Sequence, residues 1–255
     1  MVKGLDVFKQ YFEDYPENYV IIGGTACDII IEESGLVPRT TKDIDIILIV
    51  EALSSEFVIQ FWNFIHDGNY QQREKSDGKR EYYRFIKPEH SEFPYQIELF
   101  SRTPDLIVLE GESYLTPIPV GDDLSSLSAI LLNDEYYHYM ISNSRIADGI
   151  RYANTEALIC LKAKAYLEIR DRIEKGSKED SKQLRKHKSD VFRLTTMLTP
   201  ESEFHLPESI FSHISQFASI ISDDLPDKSI FKEMGLNRTE PKDVFELFRK
   251  SFKLT

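Results

Sequence analysis

The run Tyr19-Val20-Ile21-Ile22, followed at once by Gly23-Gly24-Thr25, most constrains the fold of this chain. Continuous β-branched residues predict a strand that is buried on both faces, as in sheets covered by helices. A glycine pair directly after such a strand favours a tight turn into a helix, which the sequence predicts over residues 26–33. The pattern therefore indicates the α/β class, in which helices flank a sheet.

A second predicted strand, residues 43–50 (DIDIILIV), carries two carboxylates in an apolar run. Residues i and i+2 of a strand face the same side, so Asp43 and Asp45 lie together while Ile44 and Ile46 point into the core. Two adjacent anions repel each other unless a cation lies between them, and Mg²⁺, or Mn²⁺ in its place, suits such oxygen ligands. A third carboxylate, Glu98, lies in the predicted strand 95–100 (YQIELF).

The glycine turn predicts a second half of the same site. Backbone N–H groups at a helix N-terminus bind phosphate well, and Gly23 and Gly24 have no Cβ to block a close approach. Thr25 adds a hydroxyl at the helix cap. The combination indicates a site for a phosphate-bearing ligand and a divalent cation.

Helices dominate the second half of the chain. The segment 105–152 predicts short strands and loops (LIVLE, PIPV, EYYHYM). From Thr155, apolar residues recur at helical spacing, and a second helix follows, closed by Pro200. Three shorter helical patterns lie around 207–221, 228–234 and 241–252. We therefore predict a first domain over residues 1–153 and a helical C-terminal domain over residues 154–255.

Composition excludes several classes of protein. The 255 residues, 41% of them hydrophobic, suffice for a substantial core, and no apolar run approaches the roughly 20 residues that span a bilayer. We expect a cytoplasmic protein without a membrane partner. The net charge of −12 argues against non-specific coating of nucleic acid. Residues 154–200 nevertheless carry 11 Lys and Arg against 7 Asp and Glu, so a polyanion should bind there.

Three segments stand in a fixed order: Ile22-Gly23-Gly24-Thr25-Ala26, then Arg39-Thr40-Thr41-Lys42-Asp43-Ile44-Asp45, then Ile97-Glu98-Leu99. This order resembles the DNA polymerase β-like nucleotidyltransferase superfamily. More narrowly, it is similar to AbiEii-type nucleotidyltransferases, which include toxins of bacterial toxin–antitoxin and phage-defence systems. The helical segment 158–165 with its central Lys162, and the basic segment before Asp190, are also similar to that group. The resemblance covers roughly residues 18–198.

The resemblance implies a nucleotidyltransferase fold, with a mixed sheet flanked by helices and a helical C-terminal part. It assigns Mg²⁺ binding to Asp43, Asp45 and Glu98, and Glu98 would also help to deprotonate the attacking hydroxyl. Gly23, Gly24 and Thr25 would bind the nucleotide.

The basic helices supply further candidates. Lys162 would reach the triphosphate, with Lys164 as the competing candidate, because a lysine stem can lie along the core while its ammonium emerges. Lys164 and Lys188 are further candidates for nucleotide binding. Asp190 would position Lys162 or Lys188, or else pair with Lys186 along its own helix. A further pair, Arg39 and Thr41, would order the loop before the metal strand or contact the nucleotide.

These features predict an enzyme that transfers a nucleoside monophosphate from an NTP to an acceptor hydroxyl. RNA, for example a tRNA 3′ end, is the favoured acceptor because residues 154–200 are basic and because the resembled group contains such toxins. A small-molecule or protein hydroxyl remains open, as does a catalytically silent nucleotide-binding module. If the protein is a toxin, an antitoxin protein should be its partner.

Overall fold

One mixed β-sheet forms the centre of the protein in the computed structural model, which describes residues 2–71, 82–100, 130–131, 133–176 and 181–254. Within these ranges the sheet has six strands, in the order β3-β4-β2-β1-β6-β5. The strands are β1 (Tyr19–Ile22), β2 (Asp43–Leu48), β3 (Tyr82–Ile86), β4 (Gln96–Phe100), β5 (Ser144–Ala147) and β6 (Ile150–Ala153).

Helices surround this sheet and make up the C-terminal part. Before β6 they are α1 (Leu5–Phe12), α2 (Gly23–Glu33), a 3₁₀ turn (Val50–Ala52), α3 (Ser55–Asp67) and α4 (Asp134–Ser142). After β6 they are α5 (Thr155–Glu174), α6 (Ser181–Thr195), α7 (Glu208–Ile221), α8 (Ser229–Lys232) and α9 (Pro241–Ser251). Among the described residues, no helix is long and apolar enough to cross a membrane.

The register of the central strands positions the acidic side chains. Strand β2 is antiparallel to β1 and parallel to β4, and Asp45 lies opposite Glu98 across the β2–β4 pair. On the far side of β4, antiparallel β3 places Arg84 opposite Glu98. Three charged residues therefore form one row across three adjacent strands.

A single apolar core joins the sheet to the helices. All four residues of β1 are completely buried, as the continuous β-branched run predicts. Aromatic side chains of α1 and α3, such as Phe12 and Phe64, belong to the same core as Leu158 of α5 and Phe217 of α7. The predicted α/β class, with a mixed sheet flanked by helices and a helical C-terminal part, is confirmed. The domain boundary after residue 153 stays a prediction.

The segment EYYHYM differs from the sequence prediction. We expected short strands and loops, but these residues lie in α4, which Asn133 caps by accepting hydrogen bonds from the amides of Glu135 and Tyr136. Tyr136 and Met140, four residues apart, are both buried, which is a helical spacing. The segments LIVLE and PIPV lie outside the described residues. Strands β5 and β6 form a hairpin whose turn contains Asp148 and Gly149, both with positive φ.

Candidate active site

Three carboxylates lie close together at the centre of the sheet. Asp43 and Asp45 are half-buried on β2, and Glu98 is buried on β4, with its backbone paired to that of Asp45. Burial, followed by the neighbouring charge of Glu98, raises the pKa of Asp45 to about 7. Burial also raises the pKa values of Asp43 and Glu98. We call Asp43, Asp45 and Glu98 the carboxylate row. The protein alone does not stabilise the negative charge of this row well, which favours a bound cation.

Glu98 already has protein partners. Its Oε1 lies 2.7 Å from Arg84 Nε and accepts a hydrogen bond of 2.8 Å from Gln96 Nε2. Within the described ranges, no three His, Cys, Asp or Glu side chains converge into a ready-made metal site. Mg²⁺ commonly uses one or two carboxylates together with substrate phosphates and water, so Asp43 and Asp45 fit such an ion without a complete protein cage.

The glycine turn packs directly against these carboxylates. Gly23 has φ of +70°, and a Cβ at this position would lie 1.8 Å from Asp45 Oδ2. A Cβ on Gly24 would lie 2.9 Å from two side-chain atoms of Thr41. Helix α2 begins at Gly23 itself, without a side-chain hydrogen bond from its N-cap residue Ile22. The first N–H groups of α2 are therefore next to Asp45, where a phosphate would meet both the amides and a carboxylate-bound cation.

Residues 36–42, the connection from α2 to β2, form a loop that we call the 36–42 loop. Next to this loop, Thr25 Oγ1 donates to the Asp43 carbonyl at 2.6 Å, which ties α2 to the start of β2. The buried Asp28 carboxylate accepts from the Thr41 amide at 2.9 Å. The sequence analysis missed Asp28, although a charged residue inside the apolar run Cys27–Ile31 was a usable signal. Thr25, Asp28 and Thr41 thus fix the backbone that leads into β2.

A buried ion pair lies between α5 and α6. Lys162 Nζ is 3.5 Å from Asp190 Oδ2, and the two side chains are only 2% and 4% exposed. Arg39 Nη1 of the 36–42 loop lies 3.6 Å from Asp190 Oδ1. Of the alternatives left open by the sequence, the structure therefore pairs Asp190 with Lys162 and brings Arg39 to the same carboxylate.

Charge balance explains how these groups remain ionised in the interior. Burial opposes ionisation of Asp190, but the positive charges of Lys162 and Arg39 outweigh it and lower its pKa. Burial likewise opposes the charged form of Lys162, whereas Cys27, Asp190 and Asp45 act in the other direction, and its pKa is raised. Asp45 and Lys162 therefore interact electrostatically, which links the buried Lys162–Asp190 pair to the carboxylates of the sheet.

Two neighbours on α6 were not among the predicted site residues. The positive charge of Lys186, one turn before Asp190, partly offsets the rise in pKa that burial causes at all three carboxylates. Its own pKa is lowered by loss of hydration and by the charges of Lys162 and Arg39. Burial lowers the pKa of His187 to about 3, so this imidazole is neutral at physiological pH. The signal for Lys186 was its position four residues before Asp190, on the same helical face.

Two predicted nucleotide-binding residues lie elsewhere. Lys164 Nζ contacts His213 Nε2 and Glu168 Oε1, each at 3.1 Å. Lys188 Nζ donates to the carbonyl and the carboxylate of Asp224, at 2.8 and 2.6 Å. Both lysines are used in contacts with or near the C-terminal helices, so the geometry favours Lys162 over Lys164. The ten remaining predicted site residues are brought together: Gly23, Gly24, Thr25, Arg39, Thr41, Asp43, Asp45, Glu98, Lys162 and Asp190.

No family model and no curated protein matches this chain. Among solved structures, it is similar to an antigenic nucleotidyltransferase-like protein from Paracoccidioides brasiliensis, at 12% sequence identity and a TM-score of 0.44. The similarity covers 91% of this chain and 95% of the other. At that level of similarity, the chemistry of the site must be inferred from its own residues.

Proposed function

We propose that this protein is a nucleotidyltransferase that moves a nucleoside monophosphate from an NTP to an acceptor hydroxyl with the help of Mg²⁺. The observation that carries the proposal is the carboxylate row of Asp43, Asp45 and Glu98 next to the glycine turn that opens α2. The resemblance of the Gly-Gly-Thr-Ala and Asp-Ile-Asp segments to AbiEii-type nucleotidyltransferases agrees with this chemistry.

Each group has a distinct task in this reaction. The amides at the start of α2 bind phosphate oxygens, and Asp43 and Asp45 would hold Mg²⁺ against them. Bound at these carboxylates, Mg²⁺ would supply positive charge that polarises the α-phosphate and neutralises the departing pyrophosphate. The acceptor oxygen forms a bond to the α-phosphorus while the bond to pyrophosphate breaks, and Glu98 takes the proton of the hydroxyl.

Lys162 supplies positive charge for the triphosphate. Its 3.5 Å separation from Asp190 is an ion pair longer than a normal hydrogen bond, and an ammonium group has three N–H donors. Asp190 keeps this ammonium charged and correctly placed, and Arg39 brings a second positive charge from the 36–42 loop. Together these residues form the cationic side of the site, opposite the carboxylate row.

RNA is the acceptor that we favour, and a tRNA 3′ end is one such substrate. The support is the excess of Lys and Arg over Asp and Glu in residues 154–200, which include α5 and α6 next to the site. A small molecule or a protein hydroxyl is the alternative acceptor. An AbiEii-like toxin role would add an antitoxin protein as partner, and expression of the chain alone would then arrest bacterial growth.

A second candidate function is nucleotide binding without transfer. Its support is the Glu98 carboxylate, whose Oε1 already pairs with Arg84 and Gln96. A binding module would need the amides of α2 and the charge of Lys162, but neither the metal nor a base.

Label transfer from α-³²P NTPs tests the proposal. Purified protein would be incubated with Mg²⁺, each of the four NTPs in turn and total bacterial RNA. The active-site variant is Asp45→Asn, and the matched control is Asp171→Asn, which changes the same group on the exposed surface of α5. Label entering RNA with the wild type and the control, but not with Asp45→Asn, is the expected result.

Thermal shift separates the two candidate functions if RNA stays unlabelled. An NTP-induced rise in Tm that needs Mg²⁺ would support the transferase function and indicate that the acceptor is a small-molecule or protein hydroxyl. A rise that is equal with and without Mg²⁺ and in Asp45→Asn would contradict the transferase and favour the binding module.

A further inference from the structure

The 36–42 loop contacts residues 200–255, the part of the chain to which the sequence analysis assigned no role. The Val37 amide donates a hydrogen bond of 3.2 Å to the Met234 carbonyl. Val37 is 59% exposed, whereas Met234 is buried. The loop that carries Arg39 and Thr41 is therefore anchored by backbone pairing to a buried point outside the sheet and outside α2.

Arg193 of α6 makes a second connection, between Glu233, the neighbour of Met234, and the site. This guanidinium is only 9% exposed, and its Nη2 lies 2.5 Å from Glu233 Oε2. Its Nη1 lies 3.9 Å from Asp190 Oδ1, the same oxygen that faces Arg39. Glu233 thus holds one end of the Arg193 guanidinium. This contact limits how strongly Arg193 competes with Lys162 and Arg39 for the Asp190 carboxylate.

Residues 229–236, which we call the 229–236 segment, are well suited to hold a fixed position. The short helix α8 ends in a turn where Gly235, with φ of +91°, donates to the Lys232 carbonyl. The Leu236 amide then donates to the Phe231 carbonyl, and Phe231 is fully buried. A buried anchor and a hydrogen-bonded turn make this segment a rigid support for its neighbours.

We infer that the 229–236 segment is a positioning element for the active site: through Met234 and through Glu233 with Arg193, it sets the placement of the 36–42 loop and of Asp190. The inference rests on the proposed function for its kinetic consequence. Without Glu233, Arg193 would turn fully to Asp190 and compete with Lys162 and Arg39, which supply charge to the triphosphate. The nucleotide affinity would fall, while the metal-binding carboxylates of β2 would be unaffected.

Hydrogen exchange tests the placement, and kinetics test its consequence. The variant is Glu233→Ala, at a side chain that is 64% exposed. The control is Glu246→Ala on α9, which removes a carboxylate of similar exposure that pairs with Arg249. Exchange rates of peptides covering residues 36–42 would be measured for the wild type and both variants, together with kcat and KM for the NTP.

We expect exchange in the 36–42 loop to accelerate by about fivefold or more in Glu233→Ala, and not in Glu246→Ala. KM for the NTP should rise about three- to tenfold with kcat changed less than about twofold, a division that general unfolding would not produce. Glu233→Asp should restore much of both. Unchanged exchange in the loop would overturn the inference. Absence of transfer with every NTP and acceptor would contradict the proposed function, but the exchange result would still decide the positioning role.

Discussion

Replacing Gly23 with alanine should destabilise the protein and abolish transfer, because the new Cβ would lie 1.8 Å from Asp45 Oδ2. At φ of +70°, a residue with a Cβ costs about 1–2 kcal/mol relative to its preferred conformations. Displacing the Asp45 carboxylate from a packed site adds about 1–3 kcal/mol. We therefore expect Gly23→Ala to lower the free energy of unfolding by about 2–5 kcal/mol.

Gly35 provides a matched control at the other end of the same helix. Its φ is +73°, but no described atom lies within 4 Å of a Cβ built there. Gly35→Ala should therefore lose only the backbone contribution, about 1–2 kcal/mol, and keep its activity. Urea denaturation followed by the fluorescence of the buried Trp62 measures both variants, and label transfer measures their activity.

The difference between the two variants isolates the contact with Asp45. Equal losses of stability, together with retained transfer in Gly23→Ala, would refute the close approach of the turn to the carboxylate. A larger loss in Gly23→Ala that leaves transfer intact would show that the Asp45 position has no part in catalysis.

Four further substitutions probe the charges of the site. Lys162→Met should abolish transfer and lower the free energy of unfolding by about 3 kcal/mol, because Asp190 would stay buried without its closest cation. Lys164→Met should retain transfer. Label transfer and urea denaturation would check both variants. Since the pKa of His187 is about 3 in the folded protein and 6.5 in the unfolded chain, only the unfolded chain binds a proton there as pH falls below 6.5. At pH 5 this destabilises the fold by about 2 kcal/mol relative to pH 7.5, a loss that His187→Gln should remove in denaturation at both pH values. The pKa of Asp45 is raised to about 7, so ionising it costs stability as pH rises; in EDTA at pH 8, Asp45→Asn should be more stable than the wild type by up to about 4 kcal/mol, and the gap should shrink toward pH 4.

Local patterns were enough to find the carboxylate row and the glycine turn. The strand β2 alternates an acid with isoleucine, and the side-chain period of two places Asp43 and Asp45 together whatever the rest of the fold does. Glu98 follows from the same rule on β4. The need for a third carboxylate on a neighbouring strand also pointed to the segment of β4, which the structure pairs with β2 although the two segments are about 50 residues apart.

Helical phase would have improved the choice of lysines. Residues two apart on a helix do not face the same side, so Lys162 and Lys164 were never equivalent candidates. The same rule separates Lys188 from Asp190 and places Lys186 on the face of Asp190. The pairing of α5 with α6 was still needed to decide which of the two faces meets the site.

Contacts between distant segments remained out of reach of the sequence. Arg84 reaches Glu98 only because β3 lies beside β4, and Asp28 reaches Thr41 only because the 36–42 loop folds back along α2. The helix α4 was missed since its aromatic residues suit a strand as well as a helix, and the Asn133 cap was overlooked.

The residues of the site lie far apart in the sequence, which has a consequence for its assembly during synthesis on the ribosome. Asp45 is synthesised early, whereas Asp190 and its pairing with Lys162 come nearly 150 residues later. At about 5–20 residues per second, the nascent chain carries the Asp45 carboxylate for about 7–30 seconds before the Lys162–Asp190 pair can form. Throughout that interval the growing protein lacks the Lys162–Asp190 pair, so under the proposed function transfer can begin only after α6 has left the exit tunnel.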